Sequence, residues 1–163
     1  MCRRLYEVIE KNREQFASFL PFVESIKNYK FYRKYLKGIR HRLKSKEHII
    51  FVIEVAGQIV GSIELVNIDM QIKKAEVGAF IDKSFSGKGI TTRAMGWVCD
   101  YCFNHLGLNK ISARINRNNY SSIKMVQKVG FVQEGIFRED DIIKGQYIDN
   151  VYFGIIKNDC EGE

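Results

Sequence analysis

Four short clusters in this chain combine residue types able to bind or react. Ser86-Gly87-Lys88-Gly89 joins a hydroxyl, a cation and two glycines. Glycine lets the backbone approach a ligand closely, and successive N–H groups ahead of a helix make a cradle for phosphate. Asn119-x-x-Ser122 places an amide and a hydroxyl one helical turn apart, just before Lys128-Val129-Gly130-Phe131. Such a pair can cap a helix. Asp140-Asp141 is a pair of carboxylates whose plain reading is a solvated turn. Cys99-x-x-Cys102 has the spacing of half a zinc site. There is no second cysteine pair, and His41, His48 and His105 have no ligand spacing, so both cysteines read as structural. The glycine loop is no P-loop, because Asp82 stands where a glycine is needed and Gly89 where a Ser or Thr is needed. Nor is it a dinucleotide fingerprint, because Thr92 replaces the third glycine.

The elements that position these clusters follow from periodicity. Leu5, Val8 and Ile9 recur at helical spacing and predict a helix over 3–15. An apolar stretch over 16–22 breaks at Pro21, the chain's one proline. Tyr32, Tyr35, Leu36, Ile39 and Leu43 predict a second amphipathic helix with basic residues on its other face. Residues 49–55 and 59–68 read as strands joined at Ala56-Gly57-Gln58, and 75–81 as a third. The glycine loop then leads into a helix over 90–106, with Ala94, Trp97, Val98, Tyr101 and Cys102 on its apolar face. Trp97 is expected in the core. A strand over 110–115, a short helix over 121–128, and strands over 131–137 and 147–156 complete the order. Strand, loop, helix, strand in the middle implies a parallel crossover, and hairpins on either side imply antiparallel partners. The expected architecture is a mixed, twisted α/β sheet with helices on both faces, in one domain over 1–163.

Composition narrows the class. The chain has 163 residues, 45% hydrophobic and 28% charged, as in a soluble globule. No apolar run approaches the ~20 residues of a membrane helix, and no signal-peptide core opens the chain. Four cysteines make no disulfide framework, so a reducing cytoplasmic location is expected. The net charge of +7 invites a nucleic-acid reading. It is local, however: nine Lys or Arg and no acid lie between Ser25 and Lys46. Without them, seventeen bases face nineteen acids.

Taken together, the motifs resemble the GNAT superfamily of N-acetyltransferases, in its RimJ/RimL-like branch. The residues that carry the resemblance are Val77 to Ile81, Ser86 to Ile90, Leu106 to Ile111, Asn119-x-x-Ser122, Lys128 to Phe131, Glu134 to Arg138, the Gly145 to Val151 hairpin and Asn12-Arg13-Glu14. They span nearly the whole chain. The resemblance implies a GNAT fold whose parallel strands, over 75–81 and 110–115, splay apart around acetyl-CoA. It implies cofactor contacts at Phe80, Ile81, Ser86, Gly87, Lys88, Gly89, Ile90, Thr91 and Asn119. It implies direct attack of a primary amine on the thioester, with a ribosomal-protein N-terminus as one possible acceptor and no nucleic acid required. Ser122 takes the place of the thiolate's proton donor, and Asp141 the place of a Glu base, with Glu134 as a second candidate. The departures are definite. Val126 stands where many members carry Tyr, and Ser86 and Thr91 stand at the loop's variable ends. No strand is predicted ahead of the first helix, so the sheet would lack its first strand and expose an edge that a homodimer could cover. A catalytically weak acyl-CoA-binding relative and a basic nucleic-acid-binding module are the competing readings.

Overall fold

The structure is a computed structural model that describes residues 1–45 and 47–160. Lys46, the last three residues, and the side chains of Arg40, Leu43 and Cys160 lie outside the described set. The helices are α1 (Cys2–Lys11), α2 (Arg13–Ala17), α3 (Phe22–Ser25), α4 (Tyr29–Gly38), α5 (Arg40–Lys44), α6 (Ile90–Asn104), α7 (Tyr120–Val129) and α8 (Lys157–Cys160). The strands are β1 (Ile49–Val55), β2 (Gln58–Asp69), β3 (Lys74–Ile81), β4 (Lys110–Asn116), β5 (Val132–Ile143) and β6 (Gln146–Ile156).

The six strands form one mixed sheet in the order β1-β2-β3-β4-β6-β5. Only β3 and β4 run parallel; every other neighbouring pair is antiparallel. Both tight hairpins use two residues with positive φ, Ala56-Gly57 and Lys144-Gly145, the turn whose twist suits paired strands. The larger core lies between one sheet face and α6 with α7. Leu65, Met95, Val98, Cys102, Ile111 and Phe153 are among its nearly inaccessible members. A smaller cluster packs α1 to α4 on the other face, where Leu5, Ile9, Val23 and Tyr32 meet Ile59 and Phe80. No strand precedes α1 among the described residues, and β1 forms an edge of the sheet.

Several sequence expectations change in detail. The predicted first helix divides at Asn12, whose φ of −113° and ψ of 16° leave the helical region. Its Nδ2 donates to the Val8 carbonyl at 2.8 Å, and its Oδ1 accepts the Lys83 N–H at 3.0 Å. The second helix divides at Ile39. Trp97 is 58% exposed and lies outside the core. The buried stripe of α6 runs through Met95, Val98, Cys99, Cys102 and Phe103, which leaves Trp97 to stack on Tyr101 at 5.5 Å beside Phe51. Finally, Asp140 and Asp141 belong to β5, not to a turn, because that strand continues to Ile143 through an irregularity.

Candidate active site

The cleft begins where β3 and β4 part. They pair only at Lys74–Lys110, Ala75–Ile111 and Glu76–Ser112. At this fork the Ser112 hydroxyl donates to the Ala75 carbonyl at 3.3 Å. Beyond it, the outer half of β3 is bonded on its β2 side alone, which leaves main-chain donors and acceptors facing the gap. The gap opens into a cleft of about 320 Å³ lined by Ala79, Phe80 and Ile81 from β3.

The glycine loop closes one end of the cleft. Asp82 caps the single 3-10 turn Lys83–Phe85, with Oδ1 accepting the Ser84 N–H at 2.9 Å. Gly87 and Gly89 then adopt φ of +75° and +70°, and Gly89 is the N-cap of α6. Arg93 N–H to the Gly89 carbonyl at 3.0 Å is the first full helical bond. The preceding N–H groups, of Ile90, Thr91 and Thr92, therefore have no partner inside the helix. Ser86, Gly87, Gly89, Ile90, Thr91 and Thr92 line the cleft, although the Ser86 N–H is already donated to the Lys83 carbonyl at 3.1 Å. Lys88 is the exception among the predicted contacts. It is absent from the lining, and its ammonium sits 5.4 Å from the centre of the Phe85 ring.

α7 supplies the opposite wall. Asn119 caps it through Oδ1, which accepts the Ser122 N–H at 3.2 Å and the Ser121 hydroxyl at 3.0 Å. Asn119 and Ser122 both line the cleft. Val126 is 2% exposed and packs in the core. Sequence reasoning missed Lys124 and Lys128, which line the cleft with Ser121. Their i, i+3, i+7 spacing marks one helix face and was available as a signal. It also missed Phe16, Phe19 and Leu20, which wall the cleft from the α2 side.

The predicted carboxylates lie elsewhere. Glu134 reaches across Gly154 of β6 to pair with Lys110 at 2.5 Å. Lys110 is in the paired half of β4, so Glu134 sits at the closed end of the fork. Asp141 is outside the cleft lining, and its ion-pair partner Arg114 lies beyond the stretch of β4 paired with β3. Between Phe137 and Asp141 the β5 register slips, and Glu139 takes a positive φ of 51°. Asp149 holds this bulge, accepting the Glu139 N–H at 3.0 Å and Arg117 at 3.2 Å. The Glu139 N–H and the Arg117 cation keep the Asp149 carboxyl below its ordinary range. The bulge turns Asp140 inward, where Asn150 Nδ2 and the Tyr152 hydroxyl donate to it at 3.0 Å each. Burial, reinforced by this bond to Asp140, raises the Tyr152 phenol, which keeps it a donor at neutral pH. Arg114 bridges the two acids, at 3.7 Å from Asp140 and 3.5 Å from Asp141. It lies two residues past the last β4 residue paired with β3. Sequence reasoning missed Arg114, Asn150 and Tyr152. Only the folded register brings them together.

Cys102 is buried in the core, and that burial pushes its thiol up to about 12, so it is unreactive near neutral pH.

The acetyltransferase (GNAT) domain model matches residues 3–132. The chain belongs to the GNAT acetyltransferase family. YdaF of Bacillus subtilis, provisionally named a ribosomal N-acetyltransferase, is 32% identical over 163 residues, covering 99% of this chain and 89% of its own. The spermidine N(1)-acetyltransferase of Escherichia coli K12 is 36% identical over 97 residues, 60% of this chain and 52% of that protein. RimL, a ribosomal alpha-N-protein acetyltransferase solved in complex with coenzyme A, superposes with a TM-score of 0.91 over 95% of this chain and 88% of its own. At 18% identity that likeness concerns the fold. Within this GNAT fold, the splayed strands, the glycine turn and α7 surround one cleft, as the sequence resemblance implied. Among the described residues no helix is long and apolar enough to cross a membrane.

Proposed function

We propose that this GNAT enzyme transfers the acetyl group of acetyl-CoA to a primary amine by direct attack in a ternary complex. The observation that carries the reading is the fork between β3 and β4, with a left-handed glycine turn at its mouth. The amides of the loop and the first turn of α6 suit a diphosphate. The free edge of β3 suits an extended chain bearing amides, which would add to it like another strand. Asn119 and Ser122 are placed across the cleft from that edge. When bound, acetyl-CoA supplies an activated thioester.

The chain's residues then have three tasks. The incoming ammonium loses a proton to Asp141 through water, since Asp141 lies outside the cleft lining. The amine nitrogen bonds to the carbonyl carbon as the carbon–sulfur bond breaks. Ser122 relays the nitrogen's second proton to the departing thiolate, which leaves as the thiol, a task that buried Val126 cannot perform. Arg114 and Asp140 are positioning residues for Asp141. Glu134, tied to Lys110, serves the sheet and not the reaction. The breadth of the match to YdaF supports a protein N-terminus, such as that of a ribosomal protein, over a polyamine. We read the enzyme as a single cytoplasmic domain, with the exposed β1 edge available for a homodimer partner.

The test joins calorimetric titration of acetyl-CoA with thiol release against N-terminal peptides, polyamines, aminoglycosides and amino acids. Saturable binding and release with at least one class are expected. Absence of saturable binding would overturn the reading. Binding without release from any amine would favour a weakly catalytic acyl-CoA-binding relative, the reading that Val126 in place of Tyr supports.

A further inference from the structure

We propose that α4, α5 and the turn before them form a docking surface for single-stranded nucleic acid. The surface is separate from the cleft and does not depend on the acetyl-transfer reading. Seven cations are exposed here: Lys27, Lys30, Arg33, Lys34, Lys37, Arg42 and Lys44. None forms an ion pair among the described residues. Elsewhere ion pairs join Lys11 with Asp82, Arg13 with Glu10, Lys110 with Glu134 and Arg117 with Asp149.

Their placement is ordered. At 100° per residue, Lys30, Arg33, Lys34 and Lys37 fall within an arc of about 100° on α4. Tyr32 and Ile39 lie on the opposite side, 2% and 4% exposed. The helix is thus docked by its apolar face and presents a continuous cationic stripe. Such a stripe has a cost. Like charges at i, i+4, here Lys30 with Lys34 and Arg33 with Lys37, each disfavour a helix. Lys30 also stands in the first turn, where the helix dipole disfavours a cation and where α4 has no acid. The Asn28 cap, accepting the Lys30 and Phe31 N–H groups at 2.9 and 3.3 Å, helps hold the helix despite this. Among the described residues no ion pair offsets these charges, which leaves them available to an external anion.

The chemistry favours nucleic acid over an acidic protein. Five of the seven cations are lysine, the residue that protein interfaces deplete. Lysine serves phosphate well as a point charge. Phe31 is 44% exposed beside Lys30 and Lys34, which offers a ring for an unpaired base to stack on.

Fluorescence anisotropy with a short labelled single-stranded RNA, its DNA counterpart and an RNA duplex tests the proposal. Saturable binding to the single strands is expected. From ~0.7 per neutralised phosphate, five to seven contacts give a log–log salt slope of about −3.5 to −5 between ~50 and ~200 mM salt. The triple variant K30E/K34E/K37E should bind at least about tenfold more weakly, with a slope flatter by about 2. Its neutral counterpart K30Q/K34Q/K37Q should fall in the same direction, with circular dichroism checking that the helix persists. The control K73E/K144E, on turns of the sheet, should bind as the parent does. Phe31→Ser should weaken single strands more than the duplex. No saturable binding at low salt, undiminished binding by both triple variants, or tighter binding of polyglutamate than of RNA would each overturn the proposal. The last result would assign the surface to an acidic protein.

Discussion

Ser122 shows how one residue can carry two roles. Its N–H is taken by the Asn119 side chain, which caps α7. A cap explains Asn119, but it needs no hydroxyl at position 122. Ser122→Ala therefore keeps the cap and removes the group proposed to meet the thiolate. The expected outcome is a fall in turnover on the order of 10²-fold, the lower end for acid–base catalysis, with little change in acetyl-CoA affinity. Steady-state thiol release set against a calorimetric dissociation constant checks it. Unchanged turnover would remove Ser122 from the mechanism. Asn119-x-x-Ser122 was legible in the sequence because both residues act through local helix geometry. The surroundings of Asp141 were not. They depend on a register slip in β5 and a left-handed Glu139, which bring Asp140 and Asp141 against Arg114 from a strand more than twenty residues away. Periodicity reads neighbours along the chain, and this cluster exists only across it.

At the scale of elements, the junction of α1 and α2 is joined to the loop ahead of the glycine turn. Asn12 accepts the Lys83 N–H, and Lys11 donates to Asp82 at 2.7 Å and to Ser84 at 3.2 Å. Asp82 is 2% exposed. Burial alone would raise its carboxyl, but the bonds from Lys11 and Ser84 outweigh that and hold it below the ordinary range. A lowered carboxyl stabilises the fold above its unfolded value of ~3.9, and that contribution disappears as the pH falls through the folded value. Lys11→Met should therefore cost about 1–2 kcal/mol at neutral pH, moderated because the lysine is 57% exposed. The difference from the parent should shrink below about pH 4. Urea melts at pH 7 and pH 3 measure both, and a gap independent of pH would show that the ion pair is not its source. One long helix over 3–15 was the natural reading, because Asn12 leaves the apolar spacing intact. The break follows from a partner seventy residues distant, which the local pattern does not contain.

For the molecule as a whole, two layers of helices on a six-stranded sheet leave one fork, and the fork decides where a ligand stabilises the fold. The parallel crossover and the antiparallel hairpins were readable from turn residues and a single strand–loop–helix–strand unit, whereas the seat of β6 between β4 and β5 was not. How far β3 and β4 stay paired was not readable, because pairing between distant strands leaves no mark in the spacing along either one. A ligand bridging the fork, the glycine turn and α7 should stabilise the whole sheet. At a hundredfold excess over its dissociation constant, acetyl-CoA should add about 2.7 kcal/mol. For a chain of this size that raises the melting temperature by about 5–10 °C. Gly89→Val tests the route. Its φ of +70° suits glycine, and a Cβ there would stand 3.2 Å from an Arg93 nitrogen. A β-branched residue in that region is strained, so the turn must shift and its amides with it. The apo melting temperature should fall, and the increment from acetyl-CoA should shrink by more than half. Gly78→Ala on β3 is the comparison, since a Cβ there meets nothing within 4 Å and φ is not positive. Its increment should match the parent's. Equal increments in all three proteins would mean that the glycine turn does not hold the cofactor, whatever the fork does.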